Sequence, residues 1–304
     1  MRQIPTIAAV RGQVPAGVRR EILALLAAAT AADAVPPVSE APLLALEAGD
    51  PTWTHVTARI GGDLVAYVAA DDARAGIEGV VAPAHRRQGI GRAILQTLRG
   101  APGELRAWAH GDLPAARGFA AAVGATRVRQ LLSMRTEITP PTGSSALAAG
   151  EVGLREFVEG EDSAAWVELN ALAFANHPEQ GALGAVDLAR RLAQPWYVAG
   201  DLIMAVTCAD GEGAASAAGY VWVKVDPDDE GVGEIYALGV HPEHRGRGLG
   251  AVLLEAGLAR IAARGLGQAK LYVDADNAAA VRLYQRRGFR QVTADAVYAL
   301  PAAG

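Results

Sequence analysis

Two short segments of this chain carry residues suited to holding an anion. They are Arg86-Arg87-Gln88-Gly89-Ile90-Gly91 and Arg245-Gly246-Arg247-Gly248-Leu249-Gly250. Each places a Gly-X-Gly between an apolar strand-like stretch and an apolar helix-like one. Glycine lets backbone amides turn toward a ligand, and the helix start that follows presents unpaired N–H groups at the positive end of its dipole. That combination suits a pyrophosphate, to which Arg245 and Arg247 would add charge. Neither segment is a Walker loop, because no Gly-Lys-Ser/Thr follows.

The two loops belong to a longer repeat. Gly79–Leu95 (GVVAPAHRRQGIGRAIL) and Leu238–Leu254 (LGVHPEHRGRGLGAVLL) align without a gap, with Arg86 and Arg245 159 residues apart. Further on, Val123-Gly124-Ala125 matches Arg287-Gly288-Phe289 at a spacing of 164. A repeat of this size is a duplicated domain. At roughly 150 residues per domain, 304 residues accommodate two copies. The uncharged stretch 139–150 (TPPTGSSALAAG) reads as the linker, giving domains at 1–138 and 151–304. Strand-like Arg127–Ile138 and Val152–Val158 flank it.

The elements that must position the second loop are legible. Leu202–Thr207, Ala217–Val225, Glu234–Val240, Ala269–Val273 and Val292–Leu300 read as strands. Gly248–Ala263 reads as a helix with Leu249, Val252, Leu253, Ala256 and Ile261 on its apolar positions, and Ala278–Arg287 as a shorter one started by Asp276 and Asn277. The fold class is α/β (α+β). The first thirty residues carry little pattern.

Composition excludes several classes. Hydrophobic residues make up 51% and charged ones 20%, which rules out a disordered chain, and 5% aromatics point to an aliphatic core. A net charge of −5 argues against a general nucleic-acid binder. One cysteine, Cys208, excludes an intrachain disulfide and reads as a small hydrophobe rather than a nucleophile. The histidines show no metal-ligand spacing. No apolar run of ~18 residues is present and the N-terminus lacks a signal-peptide pattern, so a cytoplasmic monomer with no membrane or nucleic-acid partner is expected. Trp166, Trp196 and Trp222 read as packing groups, and the acidic stretches Glu159–Asp162 and Asp226–Glu230 as solvated turns.

The loop after a Val-X-Pro strand end resembles motif A of the GCN5-related N-acetyltransferases (GNAT family). Leu271-Tyr272-Val273-Asp274-Ala275-Asp276-Asn277, then Ala280, Leu283-Tyr284 and Gly288-Phe289, resemble that family's second acetyl-CoA-binding half. The resemblance implies two tandem domains, each a central mixed β-sheet flanked by helices, with acetyl-CoA as co-substrate and no metal. It assigns acetyl-CoA contacts to Leu238, Gly239 and Val240, whose amides would polarise the thioester carbonyl. Further contacts fall to Arg245, Gly246, Arg247, Gly248, Leu249, Gly250 and Ala251, and to Asn277, Ala278, Ala279, Ala280, Val281 and Arg282. In the first copy they fall to Gly79, Val80, Val81, Arg86, Arg87, Gln88, Gly89, Ile90 and Gly91.

Four further segments narrow the resemblance: Trp108-Ala109-His110-Gly111, Asn170–Gly181 (NALAFANHPEQG), Lys224 and Gly233-Glu234-Ile235-Tyr236. They are similar to tandem members of the family that acetylate the cysteinyl amine of cysteinyl-glucosaminyl-inositol (desacetylmycothiol). By that resemblance Glu234 is the base, Tyr284 the acid, and Glu40, Glu179, Lys224, Glu234 and Tyr272 meet the acceptor. At the repeat spacings Glu234 falls on Ala75 and Tyr284 on Ala120, so the first copy is expected to bind acetyl-CoA without catalysing. Three alternatives stay open: a slipped alignment with another residue serving in the first copy, another small-molecule or peptide amine as acceptor, and a non-catalytic acyl-CoA-binding module.

Overall fold

The computed structural model describes residues 4–73, 76–98, 105–138, 152–175, 177, 180–207, 216–226 and 231–301. They form two compact units: Met1–Leu131 with Thr293–Gly304, and Leu132–Val292. The expected linker, 139–150, lies outside the described residues, as does Cys208.

In the first unit the strands β1 (Thr6–Arg11), β2 (Trp53–Ile60), β3 (Asp63–Asp71), β4 (Gly76–Val81), β5 (Arg106–Ala109) and β12 (Arg290–Ala299) lie in that order. All neighbours are antiparallel except β4 and β5. Helices α1 (Ala16–Asp33) and α2 (Glu40–Ala48) pack on one face, over Trp53, Tyr67 and Ala69. Helix α3 (Ile90–Leu98) packs on the other, over Val56, Ala58 and Ala66. Alternation along β2 sends Trp53 to one face and Val56 to the other. Helix α4 (Pro114–Val123) follows β5. The little-patterned N-terminus thus holds a strand and an 18-residue helix. Helix α1 buries Ile22, Leu25, Leu26 and Ala29, a regular helical stripe that alanines on the other faces blur in the sequence.

In the second unit the order is β6 (Thr126–Glu137, from Leu132 on), β11 (Gln268–Asp274), β10 (Val232–Val240), β9 (Ala217–Lys224), β8 (Leu202–Thr207) and β7 (Val152–Glu156). The sheet is mixed: β10 runs parallel to β11 and antiparallel to β9. Its two faces differ in chemistry. Val221, Val223, Ile235 and Leu271 meet the aliphatic α7 (Leu249–Ala263). Tyr220, Trp222 and Ala237 meet α5 (Ser163–Ala173), α6 (Ala185–Leu192) and Trp166 and Trp196. The three tryptophans are packing groups as expected, although Trp196 also faces the Lys224 ammonium. Helix α8 (Ala278–Arg286) completes the unit.

One expectation is corrected. Asp162 is not a solvated turn residue: it is buried at the start of α5. Its two carboxylate oxygens accept from both Arg155 Nη atoms at 2.6 Å, and one also accepts the Val158 N–H at 2.8 Å. Hydrogen bonding to Arg155 outweighs burial and holds its carboxyl below the usual range.

A buried ionic cluster joins the C-terminal strand to the rest of the first unit. His110 Nε2 lies 2.9 Å from Glu78 of β4, and its Nδ1 lies 3.2 Å from Asp295 of β12. Asp295 also accepts the Gly111 N–H, and Tyr298 donates to Asp112, both at 2.7 Å. Burial alone would lower the His110 pKa. Hydrogen bonds to Asp295 and Glu78, with their charges, outweigh it and raise the value to about 10. A raised folded-state pKa gives stability that is complete below the unfolded value of 6.5 and lost as pH rises through about 10. Thermal unfolding of the whole chain should therefore show a transition whose midpoint falls between pH 6.5 and 10. His110→Gln should flatten that dependence and cost on the order of a few kcal/mol at the lower pH. An unchanged slope in the variant would remove His110 from this role.

Candidate active site

The loop ahead of α7 gets its shape from two glycines. Gly246 and Gly248 have φ of +77° and +85°, and a Cβ on either would meet nothing within 4 Å. Backbone conformation rather than crowding selects glycine there, and the open side leaves amides accessible at the start of a 15-residue helix. Arg245 was expected to lend charge to this loop, and the structure gives it a bracing role: Nε donates to Val240 O at 3.3 Å and Nη2 to Ala173 O at 2.7 Å. Arg247 is exposed. Asn277 caps α8, its Oδ1 accepting the Ala280 N–H at 3.2 Å, so Ala278–Arg282 form that helix's first turns.

The first unit repeats the loop. Arg86 Nε donates to Val81 O at 3.1 Å, as Arg245 does to Val240, and its guanidinium spans the Asp33 carboxylate at 2.9 and 2.5 Å. Hydrogen bonding to Arg86 holds the Asp33 carboxyl below its ordinary range, against the effect of burial. Gly89 has φ +90°, and Arg87 takes φ +63° where the second loop has Gly246. A non-glycine residue in that region costs about 1–2 kcal/mol. The first loop therefore keeps its shape against a local penalty. The packing around it also repeats: a Cβ on Gly91 would touch the Phe119 ring at 3.2 Å, and one on Gly250 would touch Leu283 at 3.5 Å. This contact puts Ala120 where the second unit has Tyr284.

Across β9, β10 and β11 runs a row of charges. Lys224, Glu234 and Lys270 are register partners, so their side chains share the α5/α6 face. Lys270 Nζ lies 3.7 Å from Glu234 Oε2, both side chains being about 15% exposed. Lys224 Nζ stands 4.9 Å from the centre of the Trp196 ring and 5.5 Å from that of Tyr236, a cation–π seat. Tyr236 accepts from Arg191 Nε at 2.8 Å. Tyr272 and Asp274 continue the same face along β11, with Tyr272 44% exposed.

At Tyr236 the β9–β10 register slips by one residue. Tyr236 and Ala237 consequently both face the aromatic side, while Ile235 and Leu238 both face the aliphatic side. A bulge of this kind bends its strand. The β10–β11 ladder covers only Val232–Ile235 against Gln268–Leu271, although the strands run on to Val240 and Asp274. Past Ile235 the Leu238-Gly239-Val240 backbone thus borders a parting in the sheet. Tyr284 lies on the other face, in the aliphatic cluster with Leu271 and Phe289. It is 8% exposed, and burial pushes its phenol up to about 12. Glu234 and Tyr284 therefore belong to opposite faces of the sheet.

Residues 177, 180 and 181 are pinned from several sides. His177 Nδ1 accepts the Gln180 N–H at 3.0 Å, which leaves the proton on Nε2, 3.7 Å from Asp274. Buried Asn170 donates to Gln180 O at 2.7 Å and accepts from Tyr220 at 2.6 Å. A Cβ on Gly181 would fall 2.3 Å from Phe174 O, so that position requires glycine. Glu179 itself lies outside the described residues. Glu40, half-buried, opens α2 in the first unit.

Ala75 lies outside the described residues, yet the first unit does hold a carboxylate on the strand and face that correspond to Glu234. It is Glu78, whose strand partner Ala69 packs with α1 and α2. Its Oε2 accepts the Ser39 N–H at 2.5 Å and a bond from His110, and its Oε1 accepts the Ser39 hydroxyl at 2.8 Å. Sequence spacing missed it, since its partners stand 39 and 32 residues away. The only available signal was an acidic residue inside the Gly76–Val81 strand.

Among the described residues, no group of three or more His, Cys, Asp or Glu side chains is placed to hold a metal, and no helix is long and apolar enough to cross a membrane. The family model "Acetyltransferase (GNAT) family" matches residues 24–124 and again 166–289. A protein of Thermobispora bispora named mycothiol acetyltransferase is 43% identical over 290 residues, covering 93% of this chain and 96% of its own. One of the same name from Streptomyces avermitilis is 42% identical, covering 98% and 95%. A solved tandem GNAT protein from the clavulanic acid biosynthesis pathway shares the fold at 21% identity, with a TM-score of 0.72 over 98% of this chain and 99% of its own. With two matching regions that each contain one of the glycine loops, this chain belongs to the GNAT family of acetyltransferases.

Proposed function

We propose that this chain transfers the acetyl group of acetyl-CoA to the cysteinyl amine of desacetylmycothiol, giving mycothiol and CoA, and that the second unit alone does so. The observation that carries the reading is Glu234, a carboxylate on the strand that leads into the acetyl-CoA loop, placed where β10 and β11 part. The named relatives that span nearly the whole chain support the choice of acceptor.

The reaction needs two proton movements. The acceptor ammonium, with an ordinary pKa of about 7.7–8.0, gives a proton to Glu234 directly or through water. The amine nitrogen then attacks the thioester carbon, whose oxygen is polarised by the Leu238-Gly239-Val240 amides. The C–S bond breaks as the attacking nitrogen gives up its second proton to water, and the sulfur leaves toward Tyr284 as a thiolate that then takes a proton from solvent. A phenol at about 12 lies roughly 3.5 units above a thiol near 8.5, so Tyr284 stays protonated and stabilises the sulfur by donating a hydrogen bond. Glu40 and Glu179 suit the cationic acceptor, and Lys224 and Tyr272 suit its hydroxyls and carbonyls. The first unit binds acetyl-CoA at residues 79–81 and 86–91 without turning it over. Ala120 replaces the tyrosine, and Glu78 is committed to Ser39 and protonated His110. The enzyme acts in the cytoplasm as a monomer, with neither nucleic acid nor membrane as partner.

Mass spectrometry of the product should show one acetyl group added to the cysteinyl nitrogen of the acceptor. Turnover of an aminoglycoside or peptide, but not of this acceptor, would overturn the substrate reading. Glu234→Gln should lower kcat by about 10²–10⁴-fold. Tyr284→Phe should lower kcat at least tenfold while acetyl-CoA still binds, and unchanged turnover would remove Tyr284 from the mechanism.

A further inference from the structure

A base that works beside aromatic walls has to stay ionised. Glu234 is about 15% exposed, on a face shared with Trp196, Trp222 and Tyr236. Withdrawal from water disfavours a carboxylate's charged form, and a protonated carboxyl cannot accept the acceptor's proton. Something on that face has to favour the anion. Among the described residues, the charged groups there include Lys224 and, just past the strand end, Asp226 of β9, Lys270 and Asp274 of β11, and Arg191 of α6. Arg191 reaches the face through the Tyr236 hydroxyl, Asp274 pairs with His177, and the Lys224 ammonium is seated over two rings. Lys270 brings its ammonium into an ion pair with Glu234, at 3.7 Å.

We infer that Lys270 is a positioning residue for the reaction, holding Glu234 ionised and fixing its carboxylate on the β11 side of the parting. The inference rests on the reading of Glu234 as base. Strand register places the two Cα atoms as direct partners in a parallel pair, so the contact follows from the backbone and not from a chance rotamer. The lysine's own burial, 14% exposed, limits its freedom to leave. An ammonium at this range favours the charged carboxylate, so the pH below which the base is lost lies lower with Lys270 than without it. Lys270 itself touches no reacting atom and exchanges no proton in the cycle.

The test is the pH dependence of kcat at saturating acetyl-CoA and acceptor, with the same acceptor throughout. Lys270→Gln should move the acidic limb upward by about one pH unit or more, with much of kcat recovered above the new limb. Lys270→Arg, which keeps the charge, should restore the wild-type limb. If Lys270→Gln does not fold, Lys270→Met, which retains the aliphatic stem, is measured in its place. An acidic limb at the wild-type position in the neutral variant, whatever its loss of kcat or melting temperature, would overturn the inference. Glu234→Gln, measured in parallel, separates the two readings. Wild-type turnover there sinks the base assignment itself, whereas an inactive Glu234→Gln beside an unmoved Lys270→Gln limb sinks only the role of Lys270.

Discussion

In the proposed mechanism, the chemistry of the second unit depends on one interruption of hydrogen bonding. Strands β10 and β11 pair only as far as Ile235 and Leu271 and then run on without a ladder. A continuous sheet would seal the aromatic face from the aliphatic one, and Glu234 and Tyr284 could not serve the same bond. The slip at Tyr236 bends β10 and turns Tyr236 and Ala237 to the same side. Arg191 and the Lys224 ammonium then hold the displaced ring in place. The glycine loop, the capped α8 and the pinned residues 177, 180 and 181 belong to the same unit.

Both units keep the loop geometry, and on the proposed reading the first has lost the chemistry. The first loop holds the turn even with Arg87 at a positive φ, and Arg86 braces it as Arg245 braces the second. No register slip occurs between β3 and β4, whose pairing runs unbroken from Asp71↔Gly76 to Ala66↔Val81. Glu78, a carboxylate on the corresponding face, is bound by Ser39 and by a histidine held protonated between two acids. That cluster stabilises the unit, and the same bonds make Glu78 unfit to accept a proton.

Much of the second copy was legible in the sequence, for local reasons. The apolar run LIMAVT, the expected strand AKLYV and the Asn277 cap depend on residues close in the chain, and the observed elements match them within two residues. What stayed hidden depends on distant partners. The bulge is invisible in EIYALGV because either register leaves an acceptable apolar pattern. Lys270 in a half-polar strand reads as an ordinary exposed lysine until β10 is laid beside it. His110 meets Asp295 across 185 residues, a pairing no local spacing announces. Asp162 was misread because acidity alone suggested solvent, whereas Arg155 on the preceding strand neutralises it.

The central claim is that one thioester lies in the parting between β10 and β11, with Glu234 and Tyr284 on either side of it. A crystal structure with a bisubstrate analogue, the acceptor's amine joined through its acetyl carbon to CoA, tests this directly. The bridging carbon should lie beside Leu238-Gly239-Val240, with the acceptor nitrogen toward Glu234 and the sulfur toward the Tyr284 hydroxyl. A bridging carbon lodged at the Arg86–Gly91 loop, or a sulfur directed away from Tyr284, would contradict it.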